Sequence, residues 1–184
     1  RLSPHEVALI YFDAFGQPLA EAFMHAATEL VGAELMARYV PICEQTRVAD
    51  RKRIPKTMAM DLTRADAFIF AVTHADECTR FRVQVLNFAV QADLRIIHMP
   101  GVDEELFVRA VETIDFSSVQ QACSRLQGQL KGASSIRITT HDSAKEPHEL
   151  VLTTTDRQSH ICGGVAQPGE IMNLPTGEVY LAPL

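Results

Sequence analysis

No stretch of this sequence stays apolar for more than six residues, the longest runs being Val7–Phe12 and Ala67–Val72. A bilayer-spanning helix needs about 20 such residues, so these runs exclude one. Basic residues are few: 17 Lys and Arg stand against 23 Asp and Glu, a net charge of −6. Arg51-Lys52-Arg53 is the one basic stretch. Non-specific nucleic-acid binding needs a broad basic face, and this chain has none to offer. Cysteine is sparse, with Cys43, Cys78, Cys123 and Cys162 widely spaced and no Cys-x-x-Cys pair. A chain this apolar needs no disulfide staples, so the thiols are expected reduced and mostly buried. No charged start followed by an apolar segment marks a secretion signal, and the expected location is the cytoplasm.

The familiar catalytic fingerprints are missing too. The first strand–helix turn, Asp13-Ala-Phe-Gly-Gln-Pro18, has one glycine where a dinucleotide fingerprint needs three. No Walker-type glycine-rich loop occurs, and no Gly-x-Ser-x-Gly elbow. His141, His148 and His160 fall near one another without the spacing that a zinc-binding helix requires.

What is present is a pattern of alternation. The chain has 184 residues, 47% of them hydrophobic and 22% charged, enough for a real core. Val7–Phe12, 33–40, Ala67–Val72 and Leu94–Met99 read as strands. The unbroken apolar runs of Val7–Phe12 and Ala67–Val72 are those of strands covered on both faces. Between them, Leu19, Phe23, Ala27, Leu30 and Val31 recur at helical spacing, as do Cys78, Phe81, Val85, Leu86, Ala89 and Ala92. A short helix is expected over Pro55–Arg64. Repeated strand–helix units predict an α/β fold with a Rossmann-like, mainly parallel sheet flanked by helices.

Beyond Pro100 the rhythm changes. Asp103 is placed to cap a helix with Leu106, Phe107, Ala110 and Val111 on its inward face. Asp115 opens another, with Val119, Ala122, Cys123, Leu126 and Leu130 inward and Gly132 as its stop. Ser135–Thr140 and Glu149–Thr155 then predict an added antiparallel β pair, joined by a polar segment containing Pro147. The expected organisation is one α/β domain over residues 1–184, with a Gly/Pro-rich tail over 163–184.

Three titratable residues fall at the carboxyl ends of the expected parallel strands, where open α/β sheets bind ligands: Asp13, His74 and His98. Two histidines and a carboxylate suit a transition metal. Polar residues at strand ends are common, however, and the preferred reading is three unrelated side chains. No cofactor and no metal are expected.

The tail carries the most specific signal. Pro168-Gly-Glu-Ile-Met-Asn-Leu-Pro-Thr-Gly-Glu-Val-Tyr-Leu-Ala-Pro183 closely resembles a signature of the M29 metal-dependent aminopeptidases, with Asn173, Leu174, Pro175, Gly177, Glu178, Val179, Tyr180, Ala182 and Pro183 matching. His98-Met-Pro-Gly101 followed by Asp103-Glu-Glu-Leu106 is similar to a second family step. Two others are degraded: His141-Asp142-Ser143 stands where Gly-Thr-Asp is usual, and Val72–Cys78 replaces a His-Thr-x-Ala-Arg helix start.

In that family the glutamate at Glu178 supplies one metal ligand from the start of a second, catalytic domain, and the other ligands lie well downstream. The present sequence runs six residues past Glu178. The resemblance therefore implies the N-terminal, non-catalytic domain, with Glu178 a vestigial ligand position and no enzymatic activity. Truncated relatives of this kind occur as accessory proteins in ribosomal peptide natural-product pathways, crocagin biosynthesis among them, where they resemble peptide chaperones or recognition elements. The expected partner is thus a peptide, such as a precursor peptide, or a pathway enzyme, with neither nucleic acid nor membrane involved. The alternative is a fragment or split subunit of an aminopeptidase.

An extended peptide can add to an exposed strand edge. The candidate residues are Ile136, Ile138 and Thr140 on one strand and Leu150, Leu152 and Thr154 on the other. Val179, Tyr180 and Leu181 give a third expectation, self-association as a homodimer or contact with a partner protein.

Overall fold

The computed structural model describes residues 2–32, 34–40, 54–73, 79–112 and 114–182. These form two compact units: residues 1–114 with 165–176, and residues 115–164 with 177–184. The stretch read from sequence as a tail is therefore shared between them.

The first unit is built on a five-stranded sheet of β1 (Val7–Phe12), β2 (Glu34–Tyr39), β3 (Ala67–Ala71), β4 (Arg95–His98) and β8 (Ile171–Asn173). Its order is β2-β1-β3-β4-β8, and every neighbouring pair is parallel. The α/β class and the parallel sheet expected from sequence are what the chain forms. Ala8, Leu9, Ile10 and Tyr11 of β1 and Phe68, Phe70 and Ala71 of β3 are all fully buried, which is why both strands read as unbroken apolar runs.

Alternation along the strands sends Leu9, Tyr11, Phe68, Phe70 and Ile96 to one face. There they pack with Leu62 of α2 (Lys56–Leu62) and with Phe81, Val85, Leu86 and Ala89 of α3 (Thr79–Gln91). The other face receives α1 (Gln17–Ala26), which buries Leu19 and Ala20. A five-residue π-helical turn, Ala27–Val31, continues α1 and ends at Gly32 in the left-handed conformation, as expected of a glycine stop. Phe23, Ala27, Val31, Leu35 and Ile69 line an apolar cavity of about 510 Å³ on this side.

Two expectations for this unit need correction. The Asp103-capped helix is present as α4 (Glu104–Val111), and Asp103 Oδ1 accepts from Leu106 N at 2.8 Å. Yet none of its residues is buried, and Leu106 is 45% exposed. A ring contact from Phe107 to Phe23, at 5.7 Å between centroids, ties its apolar stripe to α1. Helical periodicity marks an amphipathic helix but not how completely it is covered. The second correction is β8, which sequence reading left inside the tail.

The second unit contains α5 (Phe116–Leu130), a hairpin of β5 (Ser135–His141) and β6 (Pro147–Thr153), and the short antiparallel pair β7 (His160–Cys162) and β9 (Glu178–Tyr180). Asp115 caps α5 by accepting from Ser117 N at 3.0 Å. Of the five residues expected inward on α5, Cys123 alone is buried, while Ala122 and Leu126 are exposed. Cys123 and Cys162 are both buried; Cys43 and Cys78 lie outside the described residues. His160 stacks on Tyr180 across β7–β9, with ring centroids 5.4 Å apart. Among the described residues no helix is long and apolar enough to cross a membrane.

Candidate functional site

The carboxyl ends of the parallel strands separate the residues that sequence placed there together. Asp13 follows β1 and is buried; its Oδ1 accepts from Gly16 N at 2.8 Å, closing the turn into α1. His98 ends β4, and strand β3 lies between β1 and β4. The two backbones are thus about 10 Å apart, two strand spacings. His74 lies outside the described residues. Among those described, no three His, Cys, Asp or Glu side chains converge on a common point.

His98 pairs instead with a partner that sequence reading did not connect to it. Its register neighbour on β8 is Asn173, whose Oδ1 accepts from His98 Nδ1 at 2.9 Å. The His98 ring also lies 5.9 Å from that of Phe70, its neighbour on β3. His98 Nε2 and Thr73 Oγ1, two residues past β3, are shielded from solvent and make no hydrogen bond among the described residues. Burial lowers the His98 pKa below the ordinary histidine value; the Asn173 hydrogen bond opposes this and the Arg82 charge reinforces it.

The sign of the linkage follows from that direction. Below about pH 6.5 an unfolded chain protonates this histidine while the folded chain resists, so stability falls as pH falls. His98→Gln, which keeps a hydrogen-bonding group without the titration, is expected to flatten the loss. Urea midpoints at about pH 7 and about pH 5 test this, and equal losses in both proteins would contradict it.

The hairpin presents a different surface. Nearly every residue of β5 and β6 is exposed, and the two strands form a sheet of their own among the described residues. Cross-strand pairing sets Ile136 opposite Leu152, Ile138 opposite Leu150 and Thr140 opposite His148. Directly opposed residues share a face, so five of the six candidate residues lie on one side of the hairpin. Ile138 is 43% and Leu150 53% exposed, so this apolar stripe faces water.

Thr154 is placed differently. It follows β6 and is buried, its N–H donating to Ser134 O at 2.9 Å and its Oγ1 to Ala133 O at 2.8 Å. This residue fastens the base of the hairpin. Pro147, expected in the connection, is instead the first residue of β6. Glu178 is exposed at the start of β9, opposite Cys162.

Backbone pairing adds what the side-chain pattern did not reveal. Thr154 N donates to Ser134 O, and Asp142 N donates to Glu146 O at 3.1 Å, which sets the pairs with even residue numbers as the hydrogen-bonded ones. The backbone groups of Ile136, Ile138, Thr140, His148, Leu150 and Leu152 therefore point into the hairpin. Those of Ser135, Arg137, Thr139 and His141 point out along the free edge of β5, and those of Glu149, Val151 and Thr153 along that of β6. The turn is the signal that fixes this phase. Asp142 Oδ1 accepts from Ala144 N and Glu146 N, both at 2.9 Å, and Lys145 adopts a positive φ of 66°. The bond from Glu146 N is the largest influence holding the Asp142 carboxyl below its usual pKa.

No protein-family model matches this chain, and no curated protein matches it either. The aminopeptidase resemblance thus stands on the motif residues alone. In the fold those residues divide, with Ile171–Asn173 forming the edge strand of the parallel sheet and Glu178–Tyr180 pairing with β7.

Proposed function

We propose that this chain is a non-catalytic peptide-binding protein that docks an extended segment against the β5–β6 hairpin. Its suggested role is that of an accessory protein recognising a precursor peptide in ribosomal peptide natural-product biosynthesis. The observation that carries the reading is a hairpin of two seven-residue strands with both outer edges unpaired among the described residues and an Ile/Leu stripe open to water. Main-chain groups on a free edge bind any extended peptide, and the stripe selects apolar residues at alternate positions. The pathway assignment draws on the tail motif.

Calorimetric titration with a short peptide of alternating isoleucine and threonine tests the binding. The expected result is saturable binding with a micromolar Kd, about −8 kcal/mol. Absence of binding, or metal-dependent removal of N-terminal residues from the peptide, would overturn the reading in favour of an aminopeptidase component.

A further inference from the structure

We infer that the free edge of β5 pairs with β5 of a second copy of this chain, giving a four-stranded sheet in the order β6-β5-β5-β6. The first reason is the lack of protection. Natural edge strands are blunted by Pro, Lys, bulges or shortness. β5 is seven residues long, contains neither Pro nor Lys, and pairs in unbroken register with β6. A lone two-stranded hairpin is also marginal in water, and a sheet of three or more strands is the stable unit.

The second reason is self-complementarity. An antiparallel β5–β5 pairing with its two-fold axis at Ile138 sets Arg137 against Thr139 of the second copy, and Ser135 against His141. All four are residues whose N–H and C=O groups point outward, so this one register satisfies every outward group on both strands. It places Ile138 against itself on the apolar face and sets Arg137 against a neutral threonine. The β6 edge cannot do the same: Pro147 lacks an N–H, and the corresponding register presses Glu149 against Val151. Pairing through β5 thus leaves Glu149, Val151 and Thr153 open at the outer edge of each copy for a peptide.

A single strand pair is a small interface, so the dimer is expected to be concentration-dependent. Sedimentation velocity from about 1 μM to several hundred micromolar reads it against the 20.4 kDa chain. Wild type is expected to approach twice that mass. Thr139→Pro, which removes an outward N–H and leaves the hairpin's own bonds intact, is expected to remain monomeric. Val151→Pro makes the same change on the β6 edge and is expected to dimerise like wild type. Ile138→Lys provides a second route, because it opposes like charges across the two-fold axis at a position already exposed in the single chain. A wild-type chain monomeric throughout, or Thr139→Pro and Ile138→Lys variants that dimerise as wild type does, would overturn the pairing. A monomer that still binds peptide would leave the peptide reading standing.

Discussion

A chain carrying Ile138→Thr and Leu150→Thr is expected to bind the alternating peptide about a hundredfold more weakly than wild type while keeping its unfolding midpoint. The two residues are opposed at the centre of the hairpin's apolar face and are 43% and 53% exposed. Threonine has the β-branched shape that suits a strand, so the hairpin itself loses little. What disappears is apolar surface that a docked peptide would cover, worth roughly 1.5 kcal/mol per side chain and about a hundredfold for the pair. Binding unchanged by the double substitution would remove the stripe from the recognition surface. A large fall in stability would show instead that the stripe is part of the core.

Replacing Gly16 by alanine is expected to destabilise the first unit by about 3 kcal/mol. The backbone at Gly16, with φ −82° and ψ −2°, is open to any residue, so conformational freedom is not the issue. Space is. A Cβ there would collide with the Ala71 carbonyl oxygen and stand 3.3 Å from Asp13 Oδ1. The Asp13–Gly16 turn would have to lift away from β3, straining the bonds that lead into α1. Since a domain's whole stability is about 5–15 kcal/mol, the loss is readily measured by urea denaturation. An unchanged midpoint would mean that the turn does not rest on β3.

These two positions also illustrate what was legible in the sequence. The parallel sheet was, because β1 and β3 are buried on both faces and burial leaves unbroken apolar runs. The caps at Asp103 and Asp115 were as well, since capping is local chemistry. β8 was not: a three-residue strand among glycines and prolines has no period to detect, and only pairing with β4 defines it. The His98–Asn173 bond was hidden for the same reason, as it joins residues 75 positions apart through that strand.

At the hairpin, alternation revealed the apolar face but not the phase of the backbone bonds, which the Asp142–Glu146 turn sets. That turn also shifted β6 to begin at Pro147, two residues before the β-rich run suggested. Thr154 therefore falls beyond the strand, where its hydroxyl and amide hold the base of the hairpin.

Backbone amide hydrogen exchange on the hairpin, with and without the alternating peptide, tests the docking claim most directly. At dilute concentration the inward amides of Ile136, Ile138, Leu150 and Leu152 should exchange slowly, and the outward amides of Glu149, Val151 and Thr153 quickly. Added peptide should slow that outward set. Outward amides that exchange at the same rate with saturating peptide would contradict docking at this edge.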